Sequence, residues 1–89
     1  MKSLLHKVNK NSFDKLIKIF LETLDIEPDV VRSSNVKNTP NWDSFSGLNL
    51  VLRVEEVFDV SLSMNELNEC RSFGSVLTIV KKKLDDKNS

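Results

Sequence analysis

Residues 41–59 read N-W-D-S-F-S-G-L-N-L-V-L-R-V-E-E-V-F-D, and the spacing inside this stretch decides the fold class. Asp43 or Ser44 can accept the first free backbone N–H groups of a helix. Thr39-Pro40-Asn41 just upstream is turn chemistry that a helix does not contain. Leu50, Val54, Val57 and Phe58 then recur at helical spacing, which predicts one face for the core. Phe45, Leu48 and Leu52 lie on a neighbouring face that the core does not obviously use, with Glu55 and Glu56 beyond them. The stretch therefore predicts a central amphipathic helix whose first turn holds a serine beside an apolar strip. A hydroxyl in the first turn projects into solvent, whereas one inside a helix is crowded by the preceding turn. Gly47, one turn on, lowers helix propensity by about 1 kcal/mol relative to alanine. Its missing side chain is either incidental or an opening through which another group approaches the backbone.

Working outward, 89 residues with 39% hydrophobic and 29% charged side chains suit one small globular domain with a modest core. Two glycines, two prolines and no tyrosine leave little chemistry for hairpins, so an all-α fold follows. The net charge of zero hides a pattern: residues 1–40 carry +2, residues 41–69 carry −5 and residues 70–89 carry +3. A partner approaching the acidic middle is expected to bring a basic surface. Lys81-Lys82-Lys83 read as solvated residues that complement a helix dipole, and no nucleic-acid partner is expected. One Cys (Cys70) and one His (His6) make neither a disulfide nor a tetrahedral metal site, and Cys70 reads as a small half-buried apolar residue. Leu4-Leu5 is too short for a signal peptide and no stretch is apolar enough to span a bilayer. A cytoplasmic monomer without membrane insertion is the expectation.

Before the central helix, residues 1–10 are basic and weakly patterned: Leu4, Leu5 and Val8 either extend the first helix by a turn or two or belong to a mobile extension. Asn11 or Ser12 then reads as the cap of a first helix with Phe13, Leu16, Ile17, Phe20 and Leu24 on its buried stripe. Asp25-Ile26-Glu27-Pro28 ends it. From residue 27 to 42 no helical period persists, a long connection that Val30, Val31 and Val36 are expected to pin. Trp42 is expected to pack this loop against the bundle near the serine. After the central helix, Ser63-Met64-Asn65-Glu66 has the form of a capping box and predicts a short third helix over about residues 66–69. Ser72 then caps a last helix with Phe73, Val76, Leu77, Val80 and Leu84 on one stripe, and residues 85–89 are expected to fray. The outline is a small four-helix bundle of three longer helices and one short one, with a long connection between the first two.

Asp43-Ser44 followed by a large apolar residue, then Leu48, Leu50-Val51-Leu52 and Val54-Glu55-Glu56-Val57-Phe58-Asp59, resembles the acyl carrier proteins. The likeness is ungapped from Asp43 to Asp59 and continues more loosely through Val60-Ser61-Leu62 and the final helix. It implies that Ser44 carries a 4′-phosphopantetheine arm, supplied from coenzyme A by a phosphopantetheinyl transferase that also contacts Asp43. It implies no catalytic residue in this chain, because the arm's thiol holds acyl or aminoacyl groups as thioesters for loading and accepting enzymes. Phe45, Leu48 and Leu52, ringed by Asn49, Glu55 and Glu56, are then the partner strip. A long cargo chain is expected between the second and third helices, near Leu50, Val54, Phe58 and Leu67. Fatty-acid carriers have acidic residues where this chain has Ser46 and Asn49, and a small residue at the position of Arg53. With its neutral balance, the chain looks like a specialised carrier in fatty-acid or lipid biosynthesis or another small pathway. Its cargo stays open among short or hydroxy-acyl, aminoacyl and lipid-like groups.

Two other classes compete. One is an unmodified helical interaction module that docks through the central helix, with Ser44 as a cap and no more. The other is a small hydrolase with Ser44 as nucleophile, which needs His6 as its base.

Overall fold

The computed structural model describes residues 10–87. Four α-helices follow one another: α1 (Lys10–Leu24), α2 (Ser44–Phe58), α3 (Met64–Glu69) and α4 (Phe73–Lys87). Residues 1–9, which include Leu4, Leu5, His6 and Val8, lie outside the described residues, as do residues 88 and 89. The expected bundle, with its short third helix and long α1–α2 connection, is the one observed.

α1 buries Leu16, Phe20 and Leu24 completely, together with Ile19, which the expected stripe omitted. Phe13 and Ile17 sit at the margin of that face. Asn11 and Ser12 are inside the helix, not at its cap, because α1 already includes Lys10. A polar residue near a helix start has the same sequence signature whether it caps or covers the outer face. At the other end Asp25 turns into the left-handed region (φ 53°), and its N–H donates to the Leu21 carbonyl at 3.1 Å.

The connection holds more structure than its sequence suggested. Residues Pro28–Ser33 form a 3₁₀ helix with proline at its start, where no backbone donor is required. Val31 is fully buried beneath it and Val36 is half-buried, but Val30 faces solvent and does not pin the loop. Asparagines supply much of what remains. Asn35 Oδ1 accepts from the N–H groups of Lys37 (2.8 Å) and Asn38 (2.9 Å), and Asn38 Oδ1 accepts from Asn35 N–H at 2.9 Å. Asn41 Nδ2 donates to the Leu24 carbonyl at 2.9 Å, closing the C-terminal end of α1. An isolated antiparallel bridge between Asn35 and Ser72 ties the loop to the start of α4.

α2 crosses the middle of the molecule with Leu50, Val51, Val54 and Phe58 buried. Val57 is 37% exposed, which corrects its expected place in the core. At about 100° per residue the buried stripe is centred between Leu50 and Val51, so Val57 falls on its rim. Phe20 joins helices and loop through edge-to-face contacts with Trp42 (5.4 Å between centroids) and Phe73 (5.0 Å). Trp42 is 4% exposed, in the expected place against the bundle.

α3 begins at Met64, two residues earlier than expected, and the capping box is complete. Ser63 Oγ accepts from Glu66 N–H at 3.2 Å while Glu66 Oε1 accepts from Ser63 N–H at 2.8 Å. Ser72 caps α4 by accepting from Ser75 N–H at 3.1 Å. Phe73, Val76, Ile79 and Val80 are its buried residues, with Leu77 and Leu84 at the margin. α4 runs on through residues 85–87, where fraying is the expectation from sequence. Lys87 Nζ reaches across to α2, donating to the carbonyls of Phe58 (3.3 Å) and Asp59 (3.1 Å) and pairing with Asp59 Oδ2 at 3.0 Å. That long-range contact holds the last turn, and no local pattern announces it.

Candidate functional site

The start of α2 settles which residue caps it. Asp43 is extended (φ −100°, ψ −173°), and its Oδ1 accepts from Ser46 N–H at 2.9 Å. That bond, more than any other contact, holds the Asp43 carboxyl below its ordinary value of 3.8. Ser44 is therefore the first residue of the helix proper and has no capping task. Its side chain is exposed and makes no hydrogen bond among the described residues.

Gly47 has a structural explanation. A Cβ added there would stand 3.3 Å from Trp42 Nε1 and 3.5 Å from Trp42 Cδ1. The glycine leaves room for the indole against the first turn of α2, where the long connection delivers Asp43 and Ser44. Neither a partner nor chance is needed to account for it.

Ser44 opens onto a cleft of about 500 Å³ between α2 and α3. α2 contributes Gly47, Leu48 and Val51 beside Ser44, and α3 contributes Met64, Leu67 and Asn68. Cys70 and Arg71 close the α3–α4 side, and Val36 and Trp42 the loop side. Of the residues expected to shelter a cargo, only Leu67 lines this space. Leu50, Val54 and Phe58 point into the core instead. Cys70 donates its thiol to the Glu66 carbonyl at 3.2 Å. Burial first, then Glu66 and Glu69, push that thiol up to about 11, so it stays protonated and is a poor nucleophile toward anything in the cleft.

Phe45, Leu48 and Leu52 are 74%, 52% and 51% exposed, forming an apolar strip opposite the buried face of α2. Met64, 71% exposed on α3, adds to it across the cleft. One hint of this is local: an apolar residue directly after a helix cap with no stripe to join. Asn49, Leu52 and Glu56 border a second, shallower depression of about 360 Å³ against α1, beside the Arg53–Glu22 ion pair (3.2 Å). Glu55 stands apart from the other rim residues: its Oε2 accepts from Leu62 N–H at 2.8 Å and fastens the α2–α3 connection. Among the described residues no group of His, Cys, Asp and Glu is placed to hold a metal ion. No described helix is long and apolar enough to cross a membrane.

No protein-family model matches the chain, and no solved structure gives a significant match. Curated relatives do. The chain is 33% identical over 76 residues to an acyl carrier protein of Borreliella burgdorferi (strain ZS7), covering 84% of this chain and 95% of that protein. It is 29% identical over 77 residues to one from Picosynechococcus sp., covering 85% and 95% of the two chains. With one from Amoebophilus asiaticus the identity is 27% over 74 residues, covering 82% and 92%. The chain belongs to the acyl carrier protein family, whose members carry acyl groups for enzymes and do not themselves catalyse.

Proposed function

We infer that Ser44 is the attachment point of a 4′-phosphopantetheine arm, and that the chain serves a specialised biosynthetic pathway in the cytoplasm. The observation that carries this reading is the division of labour at the start of α2. Asp43 does the capping, which leaves the Ser44 hydroxyl exposed and without a structural task at the mouth of the cleft. The surroundings fit the group. The positive end of the helix dipole favours a phosphodiester on the first residue of α2, and the cleft leaves room beside it.

In the transfer, Ser44 Oγ forms the new bond to phosphorus while the pyrophosphate bond of coenzyme A breaks and the nucleotide half leaves. The hydroxyl proton goes to a base on the transferase, since the Asp43 carboxylate beside Ser44 is engaged by the Ser46 N–H, is held below its ordinary value and is a poor base. The arm, once attached, supplies a thiol that holds acyl or aminoacyl groups as thioesters. Everything else is presentation. Asp43 fixes the register of the first turn, Trp42 and Gly47 fix its position, and Phe45, Leu48, Leu52 and Met64 give partner enzymes an apolar surface. Asn49 and Glu56 form the polar edge of that surface on the α1 side. With Glu55 engaged by the connection, the pull on basic partners rests on fewer free carboxylates than the charge count of the segment suggests.

Intact-mass measurement after incubation with coenzyme A and a broad-specificity phosphopantetheinyl transferase tests this reading. The chain is expected to gain the mass of one arm. Ser44→Ala is expected to gain none and to melt at the same temperature as the unsubstituted protein, because Asp43 still caps. A wild-type mass that stays at the apo value favours an unmodified interaction module. A modified Ser44→Ala chain assigns the arm to another residue. The hydrolase alternative rests on His6, which lies outside the described residues.

A further inference from the structure

The cleft beside Ser44 is lined by charged as well as apolar residues. Among the described residues lining it, Asp43 supplies one negative charge and Arg71 one positive charge. The two do not form an ion pair. Asp43 is engaged by the Ser46 N–H, and Arg71 has no side-chain hydrogen bond or ion pair among the described residues. The other described arginines are occupied: Arg53 bonds Glu22 at 3.2 Å, and the Arg32 guanidinium stands 4.9 Å from the Phe13 ring centroid. Arg71 is also rooted at a fixed point of the wall. Its carbonyl accepts from Val36 N–H at 3.0 Å and its N–H donates to the Glu69 carbonyl at 2.8 Å. A hydrogen-bonded backbone thus holds Arg71, with its guanidinium unengaged, on the same cleft that Ser44 and Asn68 line.

We propose that Arg71 binds an oxyanion tethered to Ser44, with the Asn68 amide as a second donor. This rests on the reading of Ser44 as the arm's attachment point and extends it to the chemistry of what the arm brings. A phosphodiester placed on Ser44 stands next to the Asp43 carboxylate, so the cleft acquires two like charges, and Arg71 is the cation that offsets them. A guanidinium suits the task because its planar donors meet two oxygens of a phosphate or a carboxylate at once. The same chemistry has two sources: the phosphodiester of the arm, or a carboxylate at the far end of a short acidic acyl cargo folded back into the cleft.

The experiment follows the arginine Nε–Hε resonances of the full chain as apo protein, with the arm attached, and with the arm loaded with acetyl or with malonyl. The Arg71 resonance is identified as the one missing from Arg71→Gln, or from Arg71→Lys where the first variant does not fold. It is expected to shift and to exchange with solvent several-fold more slowly, while those of Arg32 and Arg53 stay in place. A shift on attachment of the arm supports the proposal with the phosphodiester as source. A shift with malonyl but not with acetyl supports it with the cargo carboxylate as source. An Arg71 resonance unmoved in every state, in a chain that has gained the arm's mass, overturns the proposal and leaves the assignment of Ser44 standing. A chain that never gains that mass overturns both.

Discussion

The two ends of α2 are built in opposite ways. At its C-terminal end Asp59 takes a left-handed conformation (φ 56°), its N–H donates to the Glu55 carbonyl, and Lys87 from α4 covers the last carbonyls with an ammonium. Glu55 then holds Leu62 N–H and fastens the chain as it leaves. At the N-terminal end one short carboxylate does the capping, and the next side chain is exposed. Partners drawn from α4 and from the α2–α3 connection close one end, while the other stays open to solvent on one side and to a cleft on the other. The lesson is that a small bundle can keep a hydroxyl accessible at one end of its central helix without loosening that helix, provided the opposite end is tied down.

Substitutions along α2 test this contrast. The largest loss is expected from Phe58→Ala at the tied end, where the ring is 7% exposed. Removing it costs about 3–5 kcal/mol in chemical denaturation, and a negligible change would mean that the closed end does not depend on its ring. At the open end, Gly47→Val drives a side chain into the space held by the Trp42 indole and is expected to cost about 1–3 kcal/mol. A red shift of the tryptophan emission should accompany it, and unchanged emission would show that the indole does not set the position of the first turn. Lys87→Met removes the ammonium that covers the α2 carbonyls. With both partners substantially exposed, the loss is expected to be about 0.5–1 kcal/mol, read as a lower melting temperature that 1 M salt should partly reproduce in the unsubstituted chain. The smallest effect concerns the far wall of the cleft. The Lys83 ammonium, 2.8 Å from Glu66, and then the Ser63 N–H hold the Glu66 carboxyl at about 2, below its ordinary 4.5. Its folded-state pKa is depressed, so the stability it contributes is complete above about 4.5 and disappears as pH falls from there toward about 2. An acid titration of melting temperature on Glu66→Gln should be flatter across that window than that of the unsubstituted chain.

Most of this architecture could be read from the residues, because the helices are amphipathic and their stops are chemically explicit. Pro28 after Glu27, the Ser63-to-Glu66 box and Ser72 before Phe73 each act locally, so each was visible locally. What escaped was long-range or rotational. The continuation of α4 to Lys87 depends on carbonyls 28 and 29 residues earlier in the chain. The rotation that buries Val51 and exposes Val57 depends on where α1 and α4 lie, which periodicity leaves uncertain by a fraction of a turn. The asparagine-built connection carried no hydrophobic period to find. At the candidate site, the exposed apolar residues Phe45, Leu48 and Leu52 were legible as a surplus the core had no use for. The engagement of Glu55 with Leu62 N–H was not, because nothing in a Glu-Glu pair says which member turns inward.

The six residues of α3 include none that is fully buried: Leu67 packs half-buried against the core, beside the box at the helix start, the Lys83–Glu66 pair and the turn through Cys70. A segment with so little apolar burial exchanges its amide hydrogens through local openings far cheaper than unfolding of the whole. Amide exchange along α3 is therefore expected to run ahead of that in α1, α2 and α4, whose packing holds the start of α2 and Ser44 in place.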